Sequence, residues 1–224
     1  MSSISIRVFI VDDHPLVREW LANLLRLEKD IEVCGEAEEP ATALRAMIAN
    51  PPDIAVVDLS LKRGSGLALI KDLHAHVPDT RVLVLSMHEE VGDVERALRA
   101  GALGYVMKRE STGQIVTAIR QVHSGKVYAD AHVLSQLAER MIGRPTPAAP
   151  NISEELSDRE LDVFRRLGQG HATRRIAEDL GVSQKTVQAY CARIKAKLNL
   201  PDGAQLVREA VRWTEQRRDV PGGV

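Results

Sequence analysis

The first 124 residues alternate two periodicities, and this alternation constrains the fold more than any other feature of the chain. Short runs rich in β-branched residues occur at 6–11 (IRVFIV), 31–36 (IEVCGE), 54–59 (IAVVDL), 81–86 (RVLVLS) and 104–107 (GYVM). Longer amphipathic stretches follow them at 15–27, 40–50, 67–76, 89–100 and 112–124. Strands alternating with helices in this way predict a parallel sheet covered by helices on both faces. The near-continuous apolar character of IAVV and VLVL suits strands buried on both sides. In such a sheet, function gathers in the loops at the C-terminal ends of the strands.

After residue 125 the pattern changes. Residues 130–142 have the period of one more helix, and Pro145, Pro147 and Pro150 then give the segment a linker composition. From Leu156 onward only helical periods remain, at 157–168, 173–180, 184–198 and 203–217. Ser157 and Glu160 form a capping-box pattern at the first of these. Gly181-Val182-Ser183 separates the second from the third, with Ser183 placed as an N-cap. Two helices joined by so short a turn outline a helix-turn-helix. The expected fold is therefore an α/β domain followed by an all-α domain.

A chain of 224 residues is long enough to bury two small cores. No apolar run approaches the roughly 20 residues that span a bilayer. The N-terminus lacks a basic start, a long apolar middle and a cleavage site. Cys34 and Cys191 lie too far apart in sequence to suggest a disulfide framework or a metal site. A cytoplasmic protein with no membrane partner is expected. The formal net charge is only -1, yet residues 159–197 carry nine basic and four acidic side chains. A basic cluster confined to the helical segment fits a solvated helix surface slightly better than a nucleic-acid contact on charge alone, and leaves the second open.

Asp12 and Asp13 end the first strand run, and Asp58 lies at the end of the third. In a doubly wound sheet both ends open on one edge, so the three carboxylates converge. Like charges at close range need a cation to neutralise them, and a hard oxygen-seeking ion such as Mg²⁺ fits a site with few protein ligands. Ser86 ends the fourth run and Lys108 follows the fifth. A fixed ammonium and a hydroxyl at that edge suit the oxygens of a transferring phosphoryl group, with Asp58 as the carboxylate nucleophile. A Mg²⁺-dependent phosphatase would use similar carboxylates, but it needs an Asp-x-Asp pair, and Asp58 is followed by Leu59-Ser60. The expectation is therefore not a substrate-turnover enzyme.

The stretches VDDHPLVRE (11–19), VVDLSL (56–61), VLVLSMH (82–88) and GALGYVMK (101–108) resemble the receiver domain of two-component response regulators. The resemblance covers residues 6–124 and implies a flavodoxin-like five-stranded sheet of order 2-1-3-4-5. It implies that Asp58 is the phosphoacceptor for a sensor histidine kinase. It also implies a Mg²⁺ site of Asp12, Asp13, Asp58 and the backbone carbonyl of Ser60. Ser86 and Tyr105 resemble the family's switch hydroxyl and coupled aromatic, with Lys108 stabilising the phosphoryl group. Leu61-Lys62 stands where many receivers have Met-Pro, and Arg109 where many have proline; neither change removes a reacting group. His88 is expected to be an exposed loop histidine, with an influence on aspartyl-phosphate lifetime as the alternative.

Residues 156–200 resemble the LuxR-type helix-turn-helix through the L-S-x-R-E opening, Gly170, Ile176-Ala177, LGVS at 180–183, Thr186-Val187 and the ending at Leu198. Together the two halves resemble the NarL/FixJ class. That implies a phosphorylation-controlled transcription factor that binds double-stranded DNA and forms a homodimer on phosphorylation. The expected organisation is a receiver at 1–126, a linker helix and proline-rich linker at 127–154, a four-helix DNA-binding domain at 155–217 and a tail at 218–224.

In that arrangement the helix at 184–198 enters the major groove. At about 100° per residue, Val187, Tyr190, Cys191, Ile194 and Leu198 share an inner face, which makes Cys191 a core residue. Lys185, Gln188, Ala189, Ala192, Arg193 and Ala196 share the outer face. Alanines there suit thymine methyls, Gln188 suits adenine, and Arg193 or Lys185 suits guanine or phosphate. Arg174, Arg175, Lys195 and Lys197 are expected phosphate contacts. Gln188, Tyr190, Arg175 and Ala172 depart from the residues most familiar at these family positions, so operator sequence does not transfer from relatives.

Overall fold

A computed structural model describes residues 5–87, 91–141 and 152–216. The proline-rich linker, His88 and the tail at 218–224 lie outside the described residues. The chain divides into two compact units, Met1–Thr146 and Pro147–Val224.

In the first unit, β1 (Ile6–Val11), β2 (Ile31–Ala37), β3 (Ile54–Val57), β4 (Arg81–Ser86) and β5 (Ala102–Met107) form one parallel sheet of order β2-β1-β3-β4-β5. Helices α1 (Pro15–Leu25), α2 (Pro40–Ala49), α3 (Gly66–His76), α4 (Val91–Arg99) and α5 (Thr112–His123) connect and follow the strands. Strand residues alternate between two cores. Val8, Ile10, Val56, Leu83 and Val106 pack with α1 and α5, through residues such as Leu21, Leu25, Ile115 and Ile119. Phe9, Val11, Val57, Val84 and Tyr105 pack with α2, α3 and α4, through Met47, Leu69 and Val94. This two-sided burial is why the strands are apolar at almost every position. Helix α6 (Ala131–Met141), placed with the linker by sequence, joins the second of these cores through Val133 and Leu137.

β3 stops at Val57, two residues short of the apolar run, because the chain turns into the loop at Asp58 and Leu59. β5 starts at Ala102, two residues before the β-branched run, because Ala102 pairs with Val82.

The second unit is helical: α7 (Ile152–Glu155), α8 (Asp158–Gly168), α9 (Thr173–Leu180), α10 (Gln184–Lys197) and α11 (Gly203–Gln216). The one-turn α7 adds to the expected set of four. The Ser157 backbone N–H donates to Glu160 at 2.8 Å, and the Ser183 hydroxyl accepts from the Thr186 N–H at 3.0 Å, so both expected caps form. Gly181 ends α9 at φ 64°, a left-handed conformation that suits glycine, and this makes the tight turn into α10 possible. Leu161, Phe164, Ile176, Leu180, Val187, Ile194 and Leu206 form the core. Phe164 meets Trp213 edge-on, with ring centroids 5.6 Å apart.

Candidate functional site

β1 and β3 are hydrogen-bonded neighbours, and the Asp58 N–H donates to the Val11 carbonyl at 2.8 Å. That bond sets Asp58 beside Asp12 and Asp13 at the C-terminal edge of the sheet. On the far side, the Lys108 N–H donates to the Ser86 carbonyl at 2.8 Å, which ties the end of β5 to the end of β4. The four strand ends therefore bring Asp12, Asp13, Asp58, Ser86 and Lys108 to one edge.

The Lys108 ammonium bridges two carboxylates, 2.6 Å from Asp12 Oδ2 and 2.8 Å from Asp58 Oδ2. Asp58 Oδ1 accepts from the Ser60 N–H at 3.0 Å. Ser86 is fully buried and Tyr105 is buried in the core beside α4, while Ser60 is exposed. Burial pushes the Asp58 carboxyl above the usual carboxylate range, Lys108 offsets this only in part, and the charge of Asp12 adds to the rise. Burial works against the Lys108 charge, but Asp58 and Asp12 outweigh it and hold the ammonium above the ordinary lysine value. The result is a buried carboxylate kept close to a fixed positive charge, the pairing that a group accepting a phosphoryl dianion requires.

Ligand atoms of Asp12, Asp13, His14 and Asp58 all lie within 4.8 Å of one another. Asp13 Oδ1 is buried and accepts no hydrogen bond. Oxygen donors gathered this closely fit a hard divalent cation.

Two residues of this edge were missed by sequence reasoning. His14 Nδ1 lies 3.2 Å from Asp12 Oδ1 and 3.1 Å from Asp13 Oδ1. Lys62 donates its backbone N–H to Asp13 Oδ2 at 3.3 Å and places its ammonium 3.2 Å from the same atom. For His14 the signal was the His-Pro that follows the aspartate pair. For Lys62 no local signal exists, because its partner lies 49 residues away.

In the helical unit, Lys185, Gln188, Ala189, Ala192, Arg193 and Ala196 of α10 are all exposed, whereas Val187 and Ile194 are buried. Tyr190, Cys191 and Leu198 are partly buried against the core. Burial raises the Cys191 thiol, which leaves it a poor nucleophile. The Arg193 guanidinium stacks over the Tyr190 ring at 4.8 Å from its centroid, which holds it on the outer face.

The four expected phosphate contacts differ in their surroundings. Arg175 Nε lies 2.9 Å from buried Asp179, which Arg166 also approaches at 3.4 Å. Lys197 places its ammonium 2.6 Å from buried Glu160. Both cations thus balance acids of their own domain. Arg174 pairs with Glu178 at 3.2 Å on the exposed side of α9, and Lys195 is partly buried.

Comparison with known proteins follows the same division. The response regulator receiver domain matches residues 8–120, and the luxR family of bacterial regulatory proteins matches residues 154–210. The oxygen regulatory protein NreC of Staphylococcus carnosus is 32% identical over 210 residues, covering 92% of this chain and 97% of the relative. A two-component response regulator of the LuxR family from Aurantimonas sp. is 30% identical, with a TM-score of 0.58 over 62% of this chain and 99% of that one. RcsB from Salmonella enterica serovar Typhimurium, solved bound to a promoter with the phosphomimetic BeF3-, shares the fold at a TM-score of 0.67. It is 24% identical over 93% of this chain and 99% of that one. Among the described residues no helix is long and apolar enough to cross a membrane.

Proposed function

This chain belongs to the response-regulator family, as a phosphorylation-dependent transcription regulator with a receiver and a LuxR-type DNA-binding domain, and from that premise we propose that Asp58 is its phosphoacceptor. The observation that carries this reading is the Lys108 ammonium, held between Asp12 and Asp58 at 2.6 and 2.8 Å.

A carboxylate oxygen of Asp58 attacks the phosphorus of a phosphohistidine on a sensor kinase. An O–P bond forms, the N–P bond breaks, and the kinase imidazole leaves. Asp12, Asp13, Asp58 and the Ser60 carbonyl would hold Mg²⁺, which supplies positive charge to the phosphoryl oxygens. Lys108 exchanges its contact with the Asp58 carboxylate for one with the phosphoryl group, which sets its charge against the negative charge that transfer adds. The Ser86 hydroxyl lies at the end of the neighbouring strand and turns to a phosphoryl oxygen. Tyr105, which packs beside α4, transmits the change to the surface of α4 and β5.

The readout is DNA binding by α10 in the major groove. Gln188, Ala189, Ala192 and Arg193 face base edges, and Lys185, Arg174 and Lys195 meet phosphates. Arg175 and Lys197 stabilise the domain instead. RcsB, a structural neighbour, has been solved on promoter DNA, and a DNA partner for this chain is supported by the shared luxR-family domain. Phosphorylation drives a homodimer, whose linked DNA-binding domains raise each other's effective concentration on paired half-sites. The site of action is the cytoplasm.

Intact mass after a small acyl-phosphate donor with Mg²⁺ tests the proposal. A single phosphoryl adduct on the wild type, absent from Asp58→Asn, is the expected result. An adduct that survives Asp58→Asn places the acceptor elsewhere.

A further inference from the structure

The pocket carries a nitrogen donor that Mg²⁺ does not need. His14 Nδ1 stands 3.2 Å from Asp12 Oδ1 and 3.1 Å from Asp13 Oδ1. The first of these is a hydrogen bond; donors on neighbouring vertices of an octahedron with bonds of about 2.1 Å are also about 3.0 Å apart, so the same placement serves as ligand edges around one shared cation. Asp13 completes the arrangement. Its side chain is only 7% exposed, and its Oδ1, the atom that faces His14, is buried without a hydrogen bond.

The chain presets the imidazole. His14 is the N-cap of α1 with φ -94° and ψ 109°, and Pro15 follows it at the first helical position. A residue before proline is confined to extended backbone, and the His14 N–H is itself bonded to Asp12 Oδ1 at 2.8 Å. The ring therefore starts beside the carboxylates instead of having to be recruited.

We propose that His14 is a direct ligand of the pocket's divalent cation, so that the pocket binds imidazole-seeking transition ions such as Ni²⁺ through a bond that Mg²⁺ does not use. Carboxylates and carbonyls suit Mg²⁺, whereas imidazole suits the later first-row ions. This rests on the acidic edge being the cation site of the proposed function. The competing role for His14 is that of a hydrogen-bonding counter-ion to Asp12 and Asp13, which would oppose every divalent cation alike.

Calorimetric titration of the full chain with MgCl₂ and with NiCl₂ separates the two, in the wild type, His14→Ala and Asp13→Asn. His14→Ala should weaken Ni²⁺ binding by about tenfold or more, the scale on which changes around a bound metal register. Mg²⁺ affinity should change much less, and Asp13→Asn should weaken both ions. Equal effects of His14→Ala on the two ions, or tighter binding of both, overturns the proposal in favour of the counter-ion. A His14-dependent Ni²⁺ site that persists in Asp13→Asn also overturns it, since the histidine then binds apart from the pocket. If neither ion binds the wild type, the cation-site reading fails first and takes this inference with it.

Discussion

Gly66 controls where Asp58 sits. It is the first residue of α3, and a Cβ added there would lie 2.1 Å from the Asp58 carbonyl oxygen and 2.7 Å from Leu59 Cα. Both neighbours are backbone, so no side chain can swing away. Ordinary contact for such a carbon begins near 3.4 Å, so Gly66→Ala must drive α3 and the loop after β3 apart by about 1.3 Å. Overpacking against backbone costs about 2–3 kcal/mol, which for a domain of this size lowers Tm by about 4–12 °C. Misplacing a reacting group by about 1 Å costs on the order of 10²-fold in rate. Gly66→Ala should therefore melt early and label with an acyl-phosphate donor about a hundredfold more slowly, as followed by intact mass. The control is Gly113→Ala near the start of α5, where an added Cβ meets nothing within 4 Å. Helical glycine to alanine there should be neutral or stabilising by up to about 1 kcal/mol. If Gly66→Ala melts and labels like the wild type, the crowding at Asp58 is not what positions it.

Asp58→Asn should raise the melting temperature of the metal-free protein while abolishing the phosphoryl adduct. Because burial raises its folded pKa above 3.8, the native state binds the extra proton between the unfolded and folded values. The stability contributed by Asp58 is therefore complete below 3.8 and is lost as pH rises through the folded value. The stability gap between variant and wild type should widen over that window and then level off, and a gap independent of pH would contradict this. Glu160 runs the other way: burial pushes its carboxyl up, but Lys197 and Ser157 outweigh this and hold it below 4.5. Its contribution is present above 4.5 and is lost as pH falls through the folded value. Glu160→Gln should thus destabilise the helical domain at neutral pH, and the deficit should close in acid, as read from Trp213 fluorescence in a Trp20→Phe background. Lys185→Ala should weaken DNA binding across sequences and reduce the slope of log K against log salt by about 1. Arg175→Ala should leave that slope unchanged and cost less than about 1 kcal/mol of stability, since its side chain is 59% exposed.

What could be read in the residues, and what could not, divides by distance along the chain. The strands and helices were legible because burial on two faces of a parallel sheet and on one stripe of a helix writes itself into local periodicity. Ser157, Ser183 and Gly181 were legible because a cap or a turn involves residues within one helical turn. The convergence of Asp12, Asp13 and Asp58 followed from topology alone, since any two parallel strands deliver their C-terminal ends to the same edge. The order of the strands came from the resemblance to receivers, because no periodicity encodes which strand lies beside which.

Charge pairing is what local periodicity carries least. Lys62 meets Asp13 across 49 residues and Lys197 meets Glu160 across 37. Glu160 is legible through its cap, which is local, while the Lys197 ammonium that pairs with it is not. Arg175 is the instructive exception. Asp179 stands four positions along the same helix, so the i,i+4 pairing was available, but the basic surplus of residues 159–197 favoured an outward role. The nine cations of that segment include Arg166, Arg175 and Lys197, which face the buried acids Glu160 and Asp179. A segment's charge surplus therefore overstates the field it offers to DNA, and the phosphate-contacting set should be smaller than the count of its cations.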